Sequence, residues 1–405
     1  MKKSTFFIIL LFLVCMSCTT KSNIHTEKIT VACYYFPNYH TRDTTDLRIS
    51  RQHFDNWSEW ELIKNAKPRF EGHNQPKIPA WGYTDEKDPK VMEQKIRTAS
   101  EYGIDVFIFD WYTYEGQPFL NRCLDEGFLK ANNTGSIQFS LMWANHDWME
   151  LYPYTAGDEH DILYDGKVTS EIFDQIGNDL IAQYFTQPNY WLIDGKAYFS
   201  IYDIQNFIHS FGSVEATVKE MDKLNEKAIR AGLKGIHWNL VAWSTAILPG
   251  QDAPTNNKDL LERLGFDSAT SYVWIHHAHL PEVQTDYNVV RDQYINHWDK
   301  VKNEYEVPYY PNVTMGWDSS PRTNQDKEWS SSRGYGYPYT NIISNNTPEN
   351  FKTALQMSKD KLLSDPDGPR ILNINCWNEW TEGSYLEPDT EYGYGFLEAV
   401  RDVFN

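Results

Sequence analysis

Ile371–Trp377 reads ILNINCW and runs without a break into Asn378-Glu379-Trp380-Thr381-Glu382-Gly383. The run has the length of a strand and is too short for a helix, and two carboxylates stand just beyond its end. Seven runs of the same kind precede it: Ile29–Phe36 (ITVACYYF), Ile104–Trp111 (IDVFIFDW), Ile137–Ala144 (IQFSLMWA), Ala197–Tyr202 (AYFSIY), Gly235–Trp243 (GIHWNLVAW), Ser268–Trp274 (SATSYVW) and Tyr309–Trp317 (YYPNVTMGW). Helical patterns separate them. Val91, Ile96 and Ala99 fall near helical spacing ahead of the second run, and an amphipathic segment, Phe396–Phe404, closes the chain. Near-continuous apolar strands alternating with helices imply a parallel sheet covered on both faces. Eight such units, with no glycine-rich phosphate loop after the first strand, favour a closed barrel over a doubly wound sheet. The expected fold is α/β: a single (β/α)8 TIM barrel over residues 29–405. Segments 37–90 and 318–347, rich in Trp, Tyr, Pro and Asn, form long loops over its C-terminal face.

In such barrels the chemistry sits where the strands finish. Those ends carry Tyr35 and Tyr39; Asp110, Trp111 and Tyr112; Trp143, Asn145, His146 and Asp147; Tyr202 and Asp203; Trp243; Tyr272, Trp274 and His276; Trp317 and Asp318; then Asn378, Glu379 and Glu382. Any one of these suits a solvated loop; aromatic, acid, amide or histidine at nearly every end does not. Glycosidic cleavage usually needs two carboxyl groups, one to protonate the departing oxygen and one to stabilise or attack the developing cation. Glu379 and Glu382 reach one pocket if the chain turns between them, and Gly383 permits the turn. Trp377 and Trp380 lower the local polarity, which raises a carboxyl pKa toward that of a general acid. The expected cleft comprises Tyr35, Asp110, Trp111, Asn145, His146, Trp274, Trp317 and Tyr385.

The rest of the composition narrows the partner. Fifteen Trp, 26 Tyr and 20 Phe suit flat, half-polar ligands such as sugars, with burial in an aromatic core as the alternative. A formal charge of -19 repels phosphate backbones, so no nucleic acid partner is expected. Met1-Lys2-Lys3, the apolar run Phe6–Met16 and Ser17-Cys18 make residues 1–17 a lipoprotein signal peptide, with Cys18 the lipidated residue and 18–28 a tether. That places the expected protein in a bacterial cell envelope, lipid-anchored to the outer membrane on its periplasmic or surface side. Cys33, Cys123 and Cys376 lack C-x-x-C spacing, so neither a disulfide framework nor a zinc site is expected. His276-His277-Ala278-His279 is a local cluster without a clear ligand set; no metal and no cofactor are expected. The sequence leaves the oligomeric state open.

Trp377–Asp389, WNEWTEGSYLEPD, resembles the active-site segment of the glycoside hydrolase family 99 endo-α-mannosidases. The rest of the chain resembles the family-99-like WbsX branch. That likeness rests on Tyr34-Tyr35-Phe36-Pro37-Asn38-Tyr39-His40, Trp57-Ser58-Glu59-Trp60, and Pro76-Lys77-Ile78-Pro79 with Trp81-Gly82-Tyr83. It continues in Gly103-Ile104-Asp105 with Phe109-Asp110-Trp111-Tyr112, and in Trp143-Ala144-Asn145-His146-Asp147-Trp148, covering residues 30 to 402. The resemblance implies a retaining, metal-independent, endo-acting glycoside hydrolase on an oligosaccharide or polysaccharide, mannose-type sugars among the candidates. It makes Glu379 the base on the sugar's own 2-hydroxyl, Glu382 the general acid/base, and Glu387 a further sugar contact. Two other readings stand beside it. One is a non-catalytic carbohydrate-binding lipoprotein. The other is a glycosyltransferase, as the branch name suggests, though the one Asp-x-Asp pair, Asp365-Pro366-Asp367, precedes strand eight and falls at the opposite face of the barrel.

Overall fold

The computed structural model describes residues 28–405 except 43–45, 47–48, 51–52, 55, 151–152 and 159. The expected signal peptide, Cys18 and all of the tether but Lys28 lie outside the described residues. The eight apolar runs form one parallel sheet: β1 (Thr30–Tyr35), β2 (Val106–Tyr114), β3 (Gln138–Trp143), β4 (Lys196–Ile201), β5 (Ile236–Val241), β6 (Ser268–Thr270), β7 (Tyr309–Tyr310), β8 (Asn312–Thr314) and β9 (Ile371–Asn375). The ladder runs β7-β6-β5-β4-β3-β2-β1-β9-β8. β7 and β8 are two halves of one run, separated by Pro311. The first half pairs with β6 and the second with β9, so the sheet rolls into a nearly closed barrel whose seam is that broken strand. Proline has no N–H to give the ladder and breaks it here, while its carbonyl still accepts from the Asn373 N–H at 2.8 Å.

Side chains alternate in and out of the barrel along each strand. On β2, Phe107 and Phe109 face outward onto Phe128, whereas Asp110 and Tyr112 face the inside. The interior is unusually polar: Ser200, Asn239, Ser268, Thr270, Asn312 and Asn373 are fully buried. They hydrogen-bond to one another, as from Ser200 to Asn239 (2.8 Å) and from Asn373 to Thr270 (2.5 Å).

Helices cover the outside. α1 (Pro89–Glu101) starts at Asp88, whose side chain accepts from the Lys90 N–H at 2.8 Å, with Pro89 in the first turn. It buries Met92, Ile96 and Ala99, and with them Lys95. α2 (Tyr287–Tyr305) packs on the Trp274–His276 turn, its Tyr294 hydroxyl hydrogen-bonded to Tyr309 and accepting from the Asn312 N–H, and α3 (Gly395–Phe404) buries Phe396, Leu397, Val400 and Val403, the closing segment expected from the sequence. The sixth run is a strand only as far as Thr270; the chain then turns, and Trp274 opens a 3-10 turn stacked on α2 through Tyr294 at 5.5 Å. Among the described residues no helix is long and apolar enough to cross a membrane. Cys33, Cys123 and Cys376 are buried and unpaired.

Candidate active site

Beyond β9 the chain makes a hairpin: Asn378–Glu379 pairs antiparallel with Ser384–Tyr385, and Trp380–Glu382 forms the 3-10 turn between them. Gly383 closes it at φ +63°, and a Cβ there would meet the Asp318 backbone nitrogen at 2.9 Å, so the turn requires glycine. Three contacts fix the hairpin from below. The Asn378 amide spans the end of β1, accepting from Phe36 N–H (2.9 Å) and donating to Phe36 C=O (2.7 Å). The Trp380 ring stacks on Tyr385 at 3.7 Å. Under both lies a buried triad in which Lys95 pairs with Glu86 and Glu387 at 2.5 Å each.

The two glutamates end up on one guanidinium. Arg322 donates from Nη2 to Glu379 Oε1 (2.7 Å), from Nη1 to Glu382 Oε1 (2.9 Å) and from Nε to Thr381 Oγ1 (2.9 Å). Its Nη2 also lies 3.6 Å from Glu59 Oε1. Tyr337 takes a hydrogen bond from Arg322 and donates one to Glu382 Oε1 at 2.9 Å. Thr381 Oγ1 stands within hydrogen-bond distance of both Glu59 Oε1 (3.0 Å) and Glu379 Oε1 (3.1 Å). Three buried carboxylates thus share one cation. Burial pushes Glu379, Glu382 and Glu59 above the usual carboxylate range, while Arg322 pulls each back. Like charges this close oppose one another's ionisation, so the two glutamates titrate as a unit.

Both glutamates line a cavity of about 410 Å³ at the C-terminal ends of the strands. Its other walls are aromatic. Trp243 stacks on Tyr202 at 5.3 Å, and Tyr112, Tyr272 and Trp317 complete the ring. His146 and His276 also line it, and burial pulls both below the ordinary histidine range, His276 to about 4, so they face the cavity neutral. Arg322 is the one Lys or Arg among the described residues of the lining.

Of the residues singled out from sequence, Glu379, Glu382, Asp110, His146 and Trp317 line this cavity. The other expected cleft residues do not. Tyr35 faces outward and donates to Glu86 Oε1 (2.8 Å); Trp111 packs outward on Tyr184 (6.3 Å). The amide of Asn145 clamps the backbone of Asp203 at 2.7 and 2.8 Å, joining the ends of β3 and β4. Trp274 is buried and donates to Asn312 C=O. Tyr385 donates to Asp389 and borders a smaller cavity, about 180 Å³, behind the hairpin. Glu387 lies outside this cavity's lining, tied to Lys95 and to Trp380 Nε1 (2.9 Å) beneath the hairpin. Tyr112, Tyr202, Trp243, Tyr272 and His276 were visible as strand ends and do line the cavity. Arg322 and Tyr337 were not visible; they come from segment 318–347, which had only its length and composition to mark it. Asp365-Pro366-Asp367 lies beside Pro308 at the start of β7, on the opposite face, as its position before β9 requires. Among the described residues no group of three or more His, Cys, Asp or Glu is placed to hold a metal ion.

A family model described as Glycosyltransferase WbsX matches residues 31–400. The chain belongs to the WbsX family. Its curated relatives include the uncharacterized protein WxcX of Xanthomonas campestris pv. campestris (strain B100), 26% identical over 400 residues, covering 93% of this chain and 50% of that protein. The chain therefore spans about half the length of the curated relatives it matches. Among solved structures it is similar to one described as a glycoside hydrolase-like protein (TM-score 0.59, 13% identity, 94% of each chain). It is also similar to the GH99 endo-alpha-mannosidase from Bacteroides thetaiotaomicron (TM-score 0.50, 13% identity, 92% of this chain and 95% of that one). At that identity the likeness is one of fold, and it agrees with the barrel described above: this WbsX-family chain has a glycoside hydrolase-like fold.

Proposed function

We propose that this chain hydrolyses glycosidic bonds in a complex glycan, with retention and internal cleavage, using Glu379 and Glu382. The observation that carries the reading is one guanidinium holding both buried glutamates at the wall of an aromatic cavity large enough for a sugar ring. In the proposed sequence Glu379 accepts the proton of the substrate's 2-hydroxyl as that oxygen closes on C1. Glu382 gives its proton to the leaving oxygen as the C1–O bond breaks. Water then adds to C1 and loses its proton to Glu382, while the C1–O2 bond breaks with its electron pair going to O2 and Glu379 returns the proton to that oxygen.

A bound substrate would place the proton, because its 2-hydroxyl donates to Glu379 and favours the carboxylate there, whereas the glycosidic oxygen accepts from Glu382. Substrate binding itself would sort the proton into the reacting arrangement. The family description favours transfer from a nucleotide sugar instead, but the one Lys or Arg in the described lining is already engaged by Glu379 and Glu382, which opposes a diphosphate. The test is a polysaccharide panel, α-mannans included, incubated with the full chain and with Glu379→Gln and Glu382→Gln. New reducing ends from the parent and not from either variant support the reading; equal release rejects the roles given to the pair, and incorporation of sugar from a nucleotide donor supports the transferase.

The lipoprotein reading extends to location: an envelope protein anchored through Cys18. Labelled fatty acid should enter the parent and not Cys18→Ala, which should move from the membrane to the soluble fraction; labelling of the variant would reject the anchor.

A further inference from the structure

Asp110 is a cavity carboxyl that the proposed reaction leaves unused. It stands on the inward face of β2, 2% exposed. The Tyr272 hydroxyl donates to its Oδ2 at 2.9 Å, and its Oδ1 is buried with no hydrogen-bond partner in the protein. The titratable groups that face it come from every side: Cys33 and Tyr34 of β1, Tyr112 of its own strand, Tyr272 beyond β6, Cys376 beyond β9, Glu379 and Glu382 of the hairpin, and Arg322. Burial raises the thiols and phenols among them, so they stay uncharged. The charges left are those of the glutamate cluster, in which carboxylates already outnumber the cation. An ionised Asp110 would add another unmatched negative charge. Burial and then the nearby Glu382 hold its carboxyl well above the usual range, against the opposing pull of Tyr272 and Arg322.

We propose that Asp110 is a neutral carboxylic acid that donates a hydrogen bond from Oδ1 to an oxygen of the sugar bound in the cavity. The placement of the proton follows from Tyr272: Oδ2 is the acceptor of that phenol, which leaves the acid hydrogen on Oδ1, the oxygen with no protein partner. A site built this way selects for a sugar with an acceptor oxygen at that position and rejects its deoxy analogue, because the donor would be left buried and unpaired. That the ligand is a sugar rests on the hydrolase reading; that Asp110 is neutral does not.

The experiment separates the two. The infrared difference spectrum of parent minus Asp110→Asn at pH 7 should show one protonated-carboxyl stretch, separate from those of the glutamate cluster common to both, and excess mannose or glucose should move it. Thermal unfolding adds a second readout. A raised folded pKa gives stability that is present below the unfolded value, about 4 for Asp, and is lost as pH rises. The Tm of Asp110→Asn relative to the parent should therefore climb steadily from pH 4 to pH 8. On a glycan that the parent cleaves, Asp110→Asn should lower kcat/KM by about tenfold and Asp110→Leu by about 100-fold, the loss falling mainly on KM. Absence of the band, or a Tm difference that falls with pH, shows an ionised Asp110 and overturns the proposal. A band present but unmoved by either sugar overturns the donor role alone. If no glycan is cleaved, the spectra and melting curves still decide the state of Asp110.

Discussion

Arg322→Met is expected to abolish measurable glycan cleavage and to lower the free energy of unfolding by about 3–5 kcal/mol, the range for removing one partner of a buried ion pair. The side chain is 7% exposed and contacts Glu379, Glu382, Glu59, Thr381 and Tyr337. Methionine fills the volume but leaves the carboxylates without a cation, so they must take up protons. The sign of the pH dependence follows. Groups pushed further above an unfolded value of about 4.3 contribute stability below that pH and lose it as pH rises. The defect should be smallest near pH 4.5 and largest near pH 8, as read by denaturant unfolding at several pH values. Arg322→Lys should rescue part of the stability and little of the activity, because a single ammonium cannot bond both glutamates and Thr381 from one plane. A variant as stable as the parent at pH 8 would show that the guanidinium does not hold the pair.

Lys95→Met should cost a similar amount, about 3–5 kcal/mol, although it lies outside the cavity lining. Burial pulls the Lys95 ammonium down, but Glu387 and Glu86 outweigh it and hold it above its ordinary range. Without it, Glu86 and Glu387 are buried against each other. Glu86 also accepts from Tyr35 and from Asn378 (2.9 Å), and Glu387 from Trp380, so the loss reaches the hairpin that carries Glu379 and Glu382. Activity should fall with stability. A triple variant that also carries Glu86→Gln and Glu387→Gln should recover more than half of the lost stability, since the uncompensated charges are gone. Equal destabilisation by the single and triple variants would argue that packing, and not charge, is what Lys95 supplies.

How much of this the sequence carried depends on whether the information was local. Apolar runs of strand length are local, and they located the barrel strands to within a few residues. Pro311 was in plain view, but its effect was not: a run that looks continuous is split so that its halves serve different neighbours. The glutamate pair was legible because both members sit on one short turn. Within the cleft, strand parity accounts for two of the misplaced residues, while Asn145, Trp274 and Tyr385 lie beyond the barrel strands, where parity does not apply. Asp110 and Tyr112 share the inward face of β2, and Trp111 between them faces out, as does Tyr35 on β1. Applying the two-residue period to each strand end would have removed both. Arg322 could not be found this way. It lies nearly sixty residues from the glutamates it bonds, on a loop with no periodicity, and Lys95 reads as an ordinary polar position on an amphipathic helix.

The cluster around Arg322 is stitched together from parts that differ in how firmly they are held. Glu379 and Glu382 hang from the barrel, but Arg322 and Tyr337 belong to one long excursion of the chain and Glu59 to another. On the proposed hydrolase reading, loosening either excursion would stop cleavage while the scaffold stayed intact, so heat should abolish activity some degrees before the chain melts. The same division of labour leaves the excursions free to be exchanged: a relative could acquire a different substrate by replacing them and keep every strand of the barrel unchanged.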